Sequence, residues 1–225
     1  MNTNIDVYHK PDSMPKKHNV ISISAFVVER SYKSIEGYIN GLDKLQELLD
    51  ILNNNFYLYV FHDKTIEETK HYNPKINELV RNKWIPLLEK LKQNPRVILV
   101  RYDYPKFKSP TNSFYHISTF GTMIRFLPLF EGNSNIVMVN DIDEVTSESM
   151  NLIKERYDKF MESKAEFYFT SGLCYYLNPW ARIEKLENIT NLRIVASNII
   201  SRIKLPMSLF DNFLKGLHDG TAIEK

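Results

Sequence analysis

The run Ile136-Val137-Met138-Val139-Asn140-Asp141-Ile142-Asp143-Glu144 begins with four consecutive apolar residues and ends in a cluster holding three acids. Four apolar residues that follow the turn-forming Asn133-Ser134-Asn135 are the pattern of a buried strand. Successive strand residues point to opposite sides. If strand geometry persists past Val139, Asp141 and Asp143 share one side while Ile142 points into the core. Carboxylate oxygens are hard ligands that suit Mg²⁺ or Mn²⁺ and leave positions open for phosphate oxygens. A solvated turn after a strand carries the same residue types, so the context of the Asp-x-Asp pair decides its meaning.

That context is an alternation of strand and helix. Asn19 to Val28 is predicted as the first strand, with Ile21, Ile23 and Ala25 alternating against Ser22 and Ser24. Ser34 can cap the next helix, in which Gly37 is an imperfection. Ile35, Tyr38, Ile39, Leu42, Leu45, Leu48, Leu49 and Leu52 then recur at helical spacing. Phe56 to Phe61 is a β-branched and aromatic run that closes on His62-Asp63. Pro74 opens a second helix, with Pro86 expected to kink or divide it before Asn94-Pro95. Arg96 to Tyr102 is the third strand, and the two prolines between Asp103 and Asn112 make a loop. Phe114 to Phe130 is expected as one helix bearing Arg125, with Pro128 near its end.

Beyond the opening run, Thr146 or Ser147 can cap a helix to about Lys164. Its apolar face is Met150, Ile153, Tyr157, Phe160 and Met161. Glu166 to Tyr176 reads as a strand broken at Gly172. Leu209 to Leu217 reads as a short amphipathic helix. The order predicts an α/β fold: a mostly parallel sheet with helices on both faces. Ligands of such sheets bind beyond the carboxyl ends of the strands, where Val28-Glu29-Arg30, His62-Asp63, Tyr102-Asp103 and Asn140 to Glu144 would gather.

Residues 1–18, with Pro11 and Pro15, are expected to be a flexible tail. Residues 19–225 are expected to form a single domain, with 19–145 as its ligand-binding half. The 225 residues, 43% hydrophobic and 25% charged, are those of an ordinary globular protein. A net charge of +2 gives no strong field for nucleic acid or membrane. The polar Met1 to His18 is no signal peptide, and no apolar run is long enough for a membrane span. Cys174 is the single cysteine, which excludes a disulfide framework and a multi-cysteine metal site. With only 7 glycines there is no Gly-rich phosphate loop. A cytoplasmic location is expected.

Thr119-Phe-Gly-Thr-Met-Ile-Arg-Phe-Leu-Pro-Leu-Phe130, followed by Ile136-Val-Met-Val-Asn-Asp-Ile-Asp143, resembles the metal-dependent glycosyltransferases of the GT-A fold. An Arg-bearing helix before an Asp-x-Asp strand is similar in order and spacing. Ser24-Ala-Phe-Val-Val28, Tyr38-Ile-Asn-Gly-Leu42 and Tyr57-Leu-Tyr-Val-Phe-His-Asp63 look like the first strand, helix and second strand of the glycosyltransferase-like proteins of large DNA viruses. For a viral protein the expected location becomes the host cytoplasm.

The resemblance implies a GT-A-like, Rossmann-like domain that binds a UDP- or GDP-sugar with Mn²⁺ or Mg²⁺. Phe26 and Val27 would line the nucleotide pocket, and Asp63 would contact base or ribose. Arg125 would reach the diphosphate or sugar. Asn140 and Asp141 would bind the donor, Asp141 and Asp143 would hold the metal, and Asp143 and Arg125 would serve catalysis. Residues 146–225 would be a shortened acceptor side, with Gly172 and Trp180 near a sugar; the acceptor is a glycan, a protein or a small molecule. Glu144 or a later acid is the candidate base, and His218 the one candidate for a third metal ligand.

Each residue also has a plainer reading. Asp63 can simply end a strand, Arg125 can pair with a carboxylate, Phe26 can be core, and His218 can be solvated. Two other functions fit the same residues: a nucleotidyltransferase, and a non-catalytic nucleotide- or sugar-binding domain.

Overall fold

The structure, a computed structural model, describes residues 4–26, 35–52, 55–67, 74–103, 118–142, 145–171 and 194–218. Among these, seven strands form one sheet. They are β1 (Asn4–His9), β2 (His18–Ala25), β3 (Phe56–Asp63), β4 (Val97–Asp103), β5 (Ser134–Val139), β6 (Phe167–Ser171) and β7 (Ile194–Ser201). The spatial order is β1-β4-β3-β2-β5-β7-β6. The central four, β4, β3, β2 and β5, are parallel, while β1 and β7 run antiparallel to their neighbours. The sheet is therefore mixed, with a parallel core.

The helices of the described residues are α1 (Ile35–Leu52), α2 (Lys64–Glu67), α3 (Pro74–Leu79), α4 (Ile85–Lys92), α5 (Ser118–Met123), α6 (Pro128–Glu131), α7 (Ser147–Glu162) and α8 (Met207–His218). Strand alternation divides the core in two. Ile21, Ile23, Leu58, Val60, Leu99 and Met138 meet α1, α4 and α7 on one face. Val20, Phe61, Val100, Val137 and Val139 meet the 124–130 segment and α8 on the other. Helices thus cover both faces, as the alternation of elements predicts.

α1 buries every apolar position named from its periodicity, with Leu42, Leu45, Leu48 and Leu49 fully enclosed. Its outer edge is laced to the α3–α4 region by Glu36–Lys83 at 3.3 Å, Asp43–Lys90 at 2.6 Å and Asp50–Arg96. α7 starts at a reciprocal cap. The Thr146 hydroxyl accepts from the Ser149 N–H at 3.1 Å, and the Ser149 hydroxyl accepts from the Thr146 N–H at 2.9 Å.

Three expectations are corrected. Residues 1–18 do not all form a flexible tail: Asn4–His9 is an edge strand paired from Asn4↔Asp103 to His9↔Leu99. Backbone pairing to β4 and the Tyr8 side chain outweigh the nearby prolines. Tyr8 packs edge-on to His62 at 5.6 Å and lies beneath Lys92 and Arg101. The second helix is divided next to Pro86, as the sequence predicts. A π turn, Val80–Trp84, joins α3 to α4, with the Ile85 N–H reaching the Val80 carbonyl. Pro86 then sits in the first turn of α4, where its missing N–H costs little.

The region holding Arg125 is not one helix. α5 tightens into a 3-10 turn, Ile124–Phe126, and Pro128 begins α6 rather than ending a long helix. Last, Met161 is 45% exposed; only Met150, Ile153, Tyr157 and Phe160 of the predicted face are buried. Helix rotation carries the fifth position round to solvent. β7, which sequence reading does not predict, fills the place between β5 and β6.

Candidate functional site

β2 is the first strand of the parallel series. The chain builds outward from it through β3 and β4, then returns to place β5 on its other flank. In open α/β sheets such a reversal leaves a crevice at the carboxyl ends of the two strands, the usual place for a ligand. Here the strand order places that crevice between the end of β2, at Ala25-Phe26, and the end of β5, at Asn140-Asp141. The pairing holds up to Ser22↔Val139, and the Asn140 N–H then donates to the Ser22 carbonyl at 3.1 Å.

Strand alternation continues past the formal end of β5. Ile142 is buried with the α1 side of the core, as the sequence pattern predicts. Asp141 turns to the opposite side and forms an ion pair with Arg125. Arg125 sits in the 3-10 turn with its side chain only 5% exposed, while that of Asp141 is 37% exposed. The same nitrogen, Nη1, donates to the Asn140 carbonyl at 3.1 Å and to Asp141 Oδ1. Of the two readings open for Arg125 in the sequence, pairing with a carboxylate is the contact this structure contains.

Two glycines set how closely the helices approach these strand ends. A Cβ on Gly41 in α1 would stand 1.5 Å from the Ile142 carbonyl oxygen. A Cβ on Gly121 in α5 would stand 2.4 Å from the Phe26 ring. Phe26 is 3% exposed, wedged between Gly121 and the Tyr38 ring, whose centroid lies 5.9 Å away. It forms the packed base of the crevice rather than an open wall.

Asp63 ends β3 on the far side of β2 from Asp141 and is wholly buried opposite Tyr102 in the register. Burial first, then the charge of Asp63, pushes the Tyr102 phenol well above its usual range. The structure thus gathers Phe26, Arg125, Asn140 and Asp141, and sets Asp63 apart. Val27, Asp143, Glu144, Gly172, Cys174 and Trp180 lie outside the described residues, as does the side chain of His218.

The side-chain Nδ2 of Asn140, a residue the sequence already pointed to, is buried without a hydrogen-bond partner among the described residues. Two serines were not singled out from sequence: Ser24, whose Oγ is likewise buried without such a partner, and Ser22, whose hydroxyl donates to the Arg125 carbonyl at 2.5 Å. The small polar residue at an inward strand position was the available signal for both serines.

Arg125 takes Oδ1 of Asp141, and the half-exposed carboxylate keeps a second hard oxygen, Oδ2. No family model matches the chain, and no curated protein matches its sequence. The fold and site define an α/β protein with a parallel-core sheet, compatible with a Rossmann-like fold, and a polar crevice at its reversal of strand order.

Proposed function

We propose that the protein is a metal-dependent glycosyltransferase of GT-A type, moving a sugar from a nucleoside-diphosphate sugar to an acceptor. The observation that carries this reading is the position of the Arg125–Asp141 pair. It stands at the carboxyl ends of β2 and β5, where the strand order reverses and an anionic nucleotide would lie. A bound Mn²⁺ or Mg²⁺ would neutralise charge that builds on the leaving diphosphate. Asp141 through Oδ2, together with Asp143, would hold that ion. The buried Phe26 ring would form the apolar floor beneath the nucleotide. The buried Asn140 amide and Ser24 hydroxyl offer hydrogen bonds to donor hydroxyls. Among the described residues no helix is long and apolar enough to cross a membrane.

Calorimetric titration of UDP, GDP and their sugars, with and without Mn²⁺, tests this directly. The expected result is Mn²⁺-dependent binding and slow release of nucleoside diphosphate, both lost in Asp143→Ala. Binding that needs no cation and survives Asp141→Ala with Asp143→Ala would sink the metal site. Pyrophosphate as product would favour the nucleotidyltransferase, and binding without turnover the non-catalytic module.

A further inference from the structure

Three residues from three separate segments close a ring of hydrogen bonds at the crevice. The Ser22 carbonyl of β2 accepts from the Asn140 N–H at 3.1 Å. The Asn140 carbonyl, just past β5, accepts from Arg125 Nη1 at 3.1 Å. The Arg125 carbonyl, in the 3-10 turn, accepts from the Ser22 hydroxyl at 2.5 Å. All three residues are buried. From this ring Arg125 reaches out to the Asp141 carboxylate.

A buried guanidinium that serves a backbone carbonyl and a carboxylate is poorly placed to swing onto a ligand. Leaving would strip the buried Asn140 carbonyl of a donor, the costlier loss, and would separate the guanidinium from the half-exposed Asp141 carboxylate. We propose that Arg125 is a positioning residue that fixes the Asp141 carboxylate, and that Ser22 is a second positioning residue that fixes Arg125. Ser22 acts at one remove. Its hydroxyl holds the backbone of the turn, and the turn aims the side chain. The consequence for ligand binding rests on the function proposed above; the ring itself does not.

Two measurements separate the ring from that function. The first uses no ligand. In protein labelled with ¹⁵N-arginine, the doubly bonded Arg125 guanidinium is expected to rotate slowly and show resolved Nη hydrogens. Ser22→Ala is expected to collapse that signal. Ser22→Thr, which keeps a hydroxyl and suits a strand, is expected to retain it. An unchanged Arg125 signal in Ser22→Ala overturns the role of Ser22.

The second measurement is Mn²⁺–UDP affinity by calorimetry. Loss of the hydroxyl is expected to weaken binding about fivefold to tenfold, the scale of one buried hydrogen bond, with recovery in Ser22→Thr. The effect must vanish in an Asp141→Asn background, because Ser22 acts through Asp141. A loss of equal size in that background marks a general structural effect and overturns the proposal. If Ser22→Ala does not fold, Arg125→Lys replaces it in the cycle, since lysine keeps the charge without the guanidinium geometry. A wild type that binds no Mn²⁺–UDP refutes the proposed function and leaves the ring to be judged by the NMR result.

Discussion

Gly41 shows how one residue can set the geometry of a site it does not chemically serve. Any side chain there would drive a carbon into the Ile142 carbonyl, and both sides of that clash are backbone. Gly41→Ala should add about 1 kcal/mol of helix propensity to α1 and lose more to the forced displacement. The expected net effect is a destabilisation of about 1–3 kcal/mol, read as a lower thermal midpoint, with weaker ligand binding as Asp141 shifts along with Ile142. A midpoint equal to or above that of the wild type would show that α1 does not press on the loop after β5. Gly121 differs, because its neighbour is the side chain of Phe26, which has rotamers to move into. From sequence, Gly37 attracts notice as a flaw in the helix, whereas the role of Gly41 depends on a residue a hundred positions away. Close backbone contact across the fold leaves no local pattern.

Elements with strong periodicity were legible. α1, β3, β4 and α7 stand within a few residues of their predicted ranges, because their apolar spacing is regular and their ends carry caps or turn residues. β7 was not legible. Its run Ile194-Val-Ala-Ser-Asn-Ile-Ile-Ser201 is interrupted at Asn198, whose φ of 65° breaks the strand alternation. The start of β2 carries its own pH dependence. His18 Nδ1–H donates to the Pro15 carbonyl at 3.1 Å, and Nε2 accepts from the Tyr59 hydroxyl at 2.9 Å. Burial, more than any other cause, lowers the pKa of His18, so the fold favours the neutral ring. Between that lowered value and about 6.5 the unfolded chain binds a proton that the folded chain does not. Stability should therefore be full above about pH 6.5 and decline as the pH falls through the folded value. Urea unfolding at several pH values should show a flatter slope in this window for His18→Gln. An identical slope would place the pH dependence elsewhere.

Across the whole molecule, the alternation of strand and helix was enough to forecast a largely parallel core with two covered faces. It also forecast polar residues gathering at the strand ends. It could not forecast which ends would adjoin. Asp63 and Asp141 look equivalent as residues that follow apolar runs, yet the strand order puts β2 between them and buries Asp63 completely. Sequence spacing carries no information about that order, which is set by crossovers between distant strands. The edge of the sheet has a practical consequence of the same kind. β1 covers the outer hydrogen-bonding edge of β4, is only six residues long and slips register between Val7 and His9, so it is a poor template for another chain. Cutting the chain back to residue 19 would bare the longer, more apolar β4 edge and take Tyr8 off His62. Such a shortened protein is expected to lose solubility and self-associate, with light scattering reporting particles larger than those of the full chain. If it stays as small and soluble as the full chain, β1 is no guard. Otherwise Asn4–His9 acts as a built-in shield against aggregation, and trimming it to obtain a tidier protein would defeat its purpose.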